Sequence, residues 1–389
     1  MSEWKTVRLG DVCEIVTGGT PSTAKEDYWK NGNIPWLQSG ACQNCFVNST
    51  DTFITKEGLN NSSAKLMPSD TVLIALTGAT TGKVGYLTFE ACANQSVTGI
   101  LPNNIFSQLY LYYFLISQRA KILSDSYGGA QKHISQGYVK NIVAPLPPLD
   151  EQKHIAFVLD KCNKLIAKYK HMLGKYDTLI KSRFIEMFGD PLSNPKEWKK
   201  KELQELVTDD CTISYGIVQT GENQKEGIKV FRPIDIVNRK PVLSGLIKTT
   251  EEISNKYKKT LLKGHELLIT VRANIGDTCV IGSEFKGCNV GRGIVPIRTN
   301  ESLITLEFLK NQFDTVEMNR YVKSLAKGIT LIQLNMEDLR KINLIVPPLE
   351  LQNQFNSFVQ QIDKSKFAVQ KSLKKAETLY KSLMQEYFG

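Results

Sequence analysis

The stretch at 76–87, LTGATTGKVGYL, carries the glycines and the lysine from which a phosphate-cradling loop is built. Such a loop needs glycines five apart, then Lys and a Ser or Thr whose hydroxyl holds magnesium. Here Gly78 and Gly82 are four apart, and Val84 follows Lys83. The letters fit a strand, a turn with glycine at positive φ, and a second strand. Cys42 and Cys45 form a lone C-x-x-C. A zinc site needs a second pair or nearby histidines, so no metal is expected and the eight cysteines read as reduced thiols, mostly buried. His133, His154, His171 and His265 are scattered, and a catalytic imidazole needs a fixed neighbour. No Asn/Asp-Pro-Pro-aromatic tetrapeptide occurs to position an exocyclic amine for methyl transfer. No catalytic residue is therefore assigned in this chain.

The elements that would position such residues are bounded by composition. The 389 residues are 41% hydrophobic and 23% charged, ordinary for a globular chain with two or three cores. No apolar run approaches the ~20 residues of a membrane span, and the polar start MSEWKTVRLGD is not a signal peptide, so a cytoplasmic protein is expected. A formal charge of +10 and a pI near 9.0 suit a polyanionic partner. The excess is spread thinly. Residues 1–146 hold 11 basic and 10 acidic side chains, 147–189 hold 8 and 5, 190–346 hold 24 and 20, and 347–389 hold 6 and 4. A nucleic-acid surface would have to be gathered by folding.

Laid over itself, the chain repeats. PPLDEQ at 147–152 returns as PPLELQ at 347–352, and TLIKSRFIEMFG ending at Gly189 faces TLYKSLMQEYFG ending at Gly389. Of these 43 gap-free positions, 14 are identical, which marks a tandem duplication. Both segments read as long helices. Val158, Cys162, Leu165, Tyr169, Met172, Tyr176 and Leu179 recur at steps of four and three, and Phe358, Ile362, Val369, Ala376, Leu379 and Leu383 follow the same register. A period near 3.5 predicts coiled-coil packing, although Gly174 and Ser365 interrupt the stripes. Paired prolines start each helix and a glycine ends it. Roughly 38 residues make a rod of about 55 Å.

The segments preceding the rods also correspond, more weakly. Trp4 and Lys5 pair with Trp198 and Lys199, and Gly82 with Gly276, whereas Lys83 becomes Asp277. A position occupied by both Lys and Asp is not a phosphate-binding lysine. The loop is a shared turn.

These marks resemble the specificity subunits of type I restriction-modification systems. The resemblance is carried by LGDVCEIVTGGTPS, YWKNGNIPWLQSG, TGATTGKVGYL, CANQSVTGILP and HISQGYVKNIVAPLPPLDEQ, with looser versions IKVFRPIDIVN, VRANIGDTCVI and INLIVPPLELQ in the second half. It implies two target-recognition domains, each reading half of a split site in double-stranded DNA. It also implies helices that set the gap and dock two methyltransferase (modification) subunits. Methylation with S-adenosylmethionine, and ATP- and Mg-dependent cleavage by restriction/translocase subunits, would belong to those partners, leaving no cofactor on this chain. The expected fold is α+β: two mixed α/β domains, at 1–146 and 190–346, with long antiparallel helices at 147–189 and 347–389. Each domain contributes a shorter helical stretch, at 107–123 and 303–325. Antiparallel rods related by a pseudo-two-fold would bring residues 1 and 389 together.

Bases are read by Arg and Lys on guanine, Asn and Gln on adenine and apolar groups on the thymine methyl, while phosphates take any polar side chain. The loop residues selected for DNA are Ser39, Lys83, Gln95, Lys132 and His133 in the first domain. In the second they are Arg232, Arg272, Asn274, Arg292 and Lys327. Trp36 and Phe231 beside these loops are expected in the core. Partner-docking or spacer roles fall to Pro148, Gln152, Tyr169, Tyr176, Pro348, Gln352, Phe358 and Leu379. Two rivals use the same features differently. A two-domain transcription repressor would bind DNA tightly alone, with a steep salt dependence. A pure interaction scaffold would not bind it at all.

Overall fold

A computed structural model describes residues 4–129, 131–237, 239–328 and 332–389. The chain divides into two compact units, Met1–Lys170 with Lys371–Gly389, and His171–Gln370. Packing therefore divides each long helix near its middle, whereas the sequence boundaries assigned each helix to a segment of its own.

In the first unit a five-stranded sheet runs in the order Ile15–Thr17, Val97–Ile100, Val72–Ala75, Val84–Leu87, Cys45–Val47. All its pairs are antiparallel except the last, which is parallel. Every residue of the central strand Val72–Ala75 is buried, because both faces of the sheet are covered. A second sheet places Ile34–Leu37 between Phe53–Ile54 and Cys92–Ala93, antiparallel to the first and parallel to the second. The helix Gln108–Ser117 buries an almost unbroken run from Tyr110 to Leu115. The stretch expected as one helix at 107–123 is two, since the chain tightens at Gln118 before Arg119–Asp125.

The second unit repeats this plan. Glu266–Thr270 lies between Thr278–Ile281 and Ile294–Ile297, all antiparallel. Ile228–Phe231 lies between Ile247–Thr249, antiparallel, and Asn289–Val290, parallel. The stretch at 303–325 again divides, into Leu306–Phe313 and Val316–Ser324. Here the cause is visible: the Thr315 hydroxyl accepts the Met318 N–H and caps a new helix.

Both long helices are 40 residues, Leu149–Phe188 and Leu349–Phe388, and Gly189 leaves the first at φ 77°. Within each unit their halves run antiparallel. In the first unit Lys170 pairs with Glu377 at 3.2 Å, and Glu151 shares a cavity wall with Glu386. In the second, Lys366 pairs with Asp177 at 2.7 Å, and the Phe184 ring packs edge-on to Phe355 at 5.5 Å. The contact stripe differs from the expected one at every second position. It runs through Ile155, Leu159, Cys162, Ile166, Tyr169, Leu173, Tyr176 and Ile180 in the first helix, and through Phe355, Val359, Ile362, Lys366, Val369, Leu373, Ala376 and Tyr380 in the second. Leu165, Leu179 and Leu379 are 41%, 45% and 52% exposed. Apolar neighbours such as Leu165 and Ile166 satisfy a 3.5 period equally well, and the facing helix decides which turns inward.

Gln152 and Gln352, expected at a partner surface, are instead fully buried. The Gln152 amide accepts the Ser107 N–H at 2.8 Å and donates to the carbonyls of Ile105 and Pro147. Gln352 accepts from Thr305 at 2.9 Å and donates to Leu303 and Pro347. Each glutamine fastens the first turn of its helix to the domain before it. Phe358 is also partly withdrawn, packing on the second core with the Arg183 guanidinium over its ring. Tyr169 and Tyr176 are half-buried in the helix stripe, while Pro148, Pro348 and Leu379 remain exposed.

Trp4 and Gly389 line one cavity of about 470 Å³ with Pro145, Glu151, Glu386, Tyr387 and Phe388, so the two ends of the chain meet in the first unit. Residue 1 itself lies outside the described residues. No helix among the described residues is long and apolar enough to cross a membrane.

Candidate nucleic-acid interface

In the first unit, four segments lie side by side where Ile34–Leu37 and Cys92–Ala93 end and the larger sheet begins. Asn94 N–H donates to the Leu37 carbonyl at 2.8 Å, Leu76 N–H to Ser96 at 2.8 Å, and Ile134 N–H to Leu76 at 2.9 Å. Gly78 N–H reaches the Lys132 carbonyl at 2.9 Å. Ser39, Gln95, Lys132 and His133 thus come to one edge from positions 94 residues apart in sequence. Gln38 and Thr77 stand among them, although the sequence reading did not single them out. The edge is made of loops held by a rigid sheet, the usual place for recognition.

The second unit has three of the same bonds. Gly291 N–H donates to Phe231 at 2.7 Å, Val271 N–H to Gly293 at 2.8 Å, and Leu334 N–H to Val271 at 3.0 Å. Matching bond to bond sets Gln38 opposite Arg232, Thr77 opposite Arg272, Gln95 opposite Arg292 and His133 opposite Gln333. Arg232, Arg272 and Arg292 therefore share the corresponding edge. Gln333 is the residue missed here, and aligning HISQG with QLNME across the two copies would have found it.

The arginines are held in a specific way. Arg232 Nε and Nη2 both donate to Asp235, at 3.1 Å each, and the Arg232 backbone N–H donates to the same carboxylate at 2.8 Å. The Asp235 hydrogen bond raises the guanidinium above its ordinary pKa, so it stays charged. Arg272 Nε and Nη2 both donate to Gln333 Oε1, at 3.0 and 2.6 Å. In the first unit the Thr20 hydroxyl donates to Gln95 Oε1. His133 packs edge-on to Tyr127, with ring centroids 4.9 Å apart.

Two of the selected residues, Lys83 and Lys327, have side chains engaged by neighbours. Lys83 Nζ donates to the Gln43 side chain. Its carbonyl accepts from Ala75, as Asp277 accepts from Thr270, so the two do occupy equivalent places in the turn. Gly82 and Gly276 both have positive φ, 71° and 81°. Lys327 pairs with Asp338 at 3.0 Å, although its backbone bonds to Gln333 keep it beside the edge. Asn274 is exposed within the Arg272–Asp277 turn. Trp36 and Phe231 are buried, and the Trp36 indole N–H is satisfied by the Gly19 carbonyl at 3.0 Å. Cys42 is buried beside Cys45, and burial pushes its thiol up to about 12. That suits a core thiol rather than a thiolate ligand. Among the described residues no group of three or more His, Cys, Asp or Glu gathers as a metal site.

The duplicated architecture coincides with a known family. The type I restriction modification DNA specificity domain matches the chain twice, over residues 1–172 and 195–377, and the chain belongs to that family. The specificity subunit of the type I restriction enzyme EcoBI from Escherichia coli is 21% identical over 413 residues, covering 99% of this chain and 85% of that one. The MjaIX specificity subunit from Methanocaldococcus jannaschii is 26% identical over 396 residues, covering 92% and 86%. Among solved structures, the S subunit from M. genitalium matches with a TM-score of 0.61 at 15% identity, covering 100% of this chain and 96% of that one. The fold is that of the specificity subunits, an α+β tandem repeat of two mixed recognition domains with two long helices.

Proposed function

We propose that the chain is the non-catalytic sequence-recognition subunit of a type I restriction-modification complex. Each domain reads one half of a bipartite, gapped DNA site, and the two helices serve as the spacer that fixes the number of unread base pairs. The observation that carries this reading is the repeated edge: two copies of one four-segment scaffold, with the same main-chain bonds and different polar side chains. A duplicated scaffold with divergent contact residues suits two unlike half-sites. The exposed flanks of the helices, with Leu165, Leu179 and Leu379, are the docking surface assigned to the modification subunits. S-adenosylmethionine, ATP and Mg are assigned to the partner subunits, and the working compartment is the cytoplasm.

The test is single-molecule sequencing of DNA modification in cells that carry the neighbouring methyltransferase gene, with and without this chain. A split motif methylated on both strands, lost on deletion, is the expected result. Tight, salt-sensitive DNA binding by the isolated chain, with methylation unchanged by its deletion, would overturn the assignment in favour of a repressor.

A further inference from the structure

The two edges share a scaffold but not a chemistry. At three equivalent places the first domain has Gln38, Thr77 and Gln95, and the second has Arg232, Arg272 and Arg292. The first domain has just two arginines in residues 1–146, and neither lies in these segments: Arg8 is in the strand Thr6–Arg8 and Arg119 begins the helix Arg119–Asp125.

The way the arginines are held decides what they can bind. In both Arg232 and Arg272 the supporting acceptor takes the Nε/Nη2 side of the guanidinium. The opposite side, Nη1 with the second hydrogen of Nη2, has no acceptor among the described residues. A planar fork fixed along one side presents two parallel N–H donors along the other, which matches the O6 and N7 acceptors of guanine in the major groove. Phosphate does not require this, since a mobile ammonium serves it as well. Arg292 has no side-chain hydrogen bond among the described residues and completes the row. Around the three arginines stand exposed apolar side chains, Val218 at 48%, Ile234 at 71% and Ile332 at 58%. The same bond matching sets Thr20, Gly40 and Lys132 opposite them in the first domain. An apolar rim suits thymine methyls and base edges, not the phosphate backbone.

We propose that Arg232, Arg272 and Arg292 make the second domain a reader of guanine in the major groove, and that the first domain has no arginine to do so at the equivalent edge. Its Gln38 and Gln95 amides have the donor and acceptor that adenine requires. This inference rests on the bipartite-recognition reading above and adds which half reads G·C pairs through arginine.

The test uses the full chain assembled with its modification subunits, S-adenosylmethionine, and a duplex library randomised over the target region, with modified molecules identified by sequencing. The wild-type complex is expected to yield two specified half-sites. Arg272→Gln and Arg292→Gln should each relax one half alone, at a G·C pair, with discrimination falling by about 5- to 150-fold. Arg292→Lys separates base from phosphate contact, because it keeps the charge and loses the planar pair of donors. It should lose discrimination at the same G·C pair as Arg292→Gln rather than restore it. Arg292 supports no neighbour through its side chain, so its variants test the idea even if Arg272→Gln disturbs the fold. Weakening spread uniformly over all sequences and restored by Arg292→Lys would overturn the proposal. So would relaxation confined to A·T pairs. Sequence-independent methylation by the wild-type complex would instead overturn the recognition reading itself.

Discussion

Replacing Gln352 by alanine removes a lock rather than a docking contact, and the cost follows from its three partners. The side chain has no exposure, and its amide serves the Thr305 N–H and the carbonyls of Leu303 and Pro347. Each buried polar group left without a partner costs roughly 1–3 kcal/mol, and partial relaxation at a loop lowers the sum, so about 3 kcal/mol is expected for the variant. For a unit of about 200 residues, each kcal/mol lowers Tm by roughly 2–4 °C, which gives a fall of about 6–12 °C. Because the chain divides into two units, the loss should appear in the transition of the second unit alone. Differential scanning calorimetry reads the shift, and hydrogen exchange localises it, with faster exchange at Thr305. The matching Gln152→Ala should move the other transition and expose Ser107, whose N–H its amide accepts. A Gln352→Ala variant melting within about 2 °C of wild type, with Thr305 still protected, would refute the lock, since no orphaned group would then have been created.

Four further outcomes are expected. The helix register predicts that Ile166→Ser and Tyr380→Ser destabilise measurably in urea titration, while Leu165→Ser and Leu379→Ser stay within about 0.5 kcal/mol of wild type. Gly82→Ala, at φ 71° with a Cβ only 2.8 Å from Ile122 Cγ2, should lose roughly 2 kcal/mol in the same titration. For Cys42 the folded thiol sits at about 12 against 9.0 when unfolded, so its stabilising effect is complete below pH 9 and declines as pH rises toward 12. Alkylation at pH 8 should leave Cys42 unmodified until the protein is unfolded, as mass spectrometry would report. A circular permutant that joins residue 389 to residue 1 and begins near Asn194 should be soluble and keep both thermal transitions, because Trp4 and Gly389 border one cavity. Aggregation of that permutant under conditions where the parent is soluble would count against this.

Much of the site was legible because duplication made the chain its own alignment. The pairing of Gly82 with Gly276 sets Lys83 against Asp277 and so rules out a phosphate loop on the letters alone. Ser39, Gln95, His133, Arg232, Arg272 and Arg292 stand out as polar residues in loops. Gln38, Thr77 and Gln333 were missed because their neighbours across the edge are 56 to 61 residues away in sequence, in segments that only the fold brings together. Lys83 was chosen for its charge, which says nothing of the Gln43 side chain that engages it.

The sequence by itself determined the repeat, the two long helices and their ends, the mixed recognition domains and the family. Each of these follows from local patterning: paired prolines, terminal glycines, a 3.5-residue period, and motifs in a fixed order. Tertiary structure alone decided which flank of each helix turns inward, since Leu165 and Ile166 are chemically alike and only a facing helix distinguishes them. It also decided that Gln152 and Gln352 are internal locks, because a glutamine is buried only where separate backbone groups converge to satisfy both ends of its amide. The same holds for the arginine edge. A guanidinium becomes a directed fork only when an acceptor fixes one of its sides, and for Arg272 that acceptor is Gln333, 61 residues further along the chain.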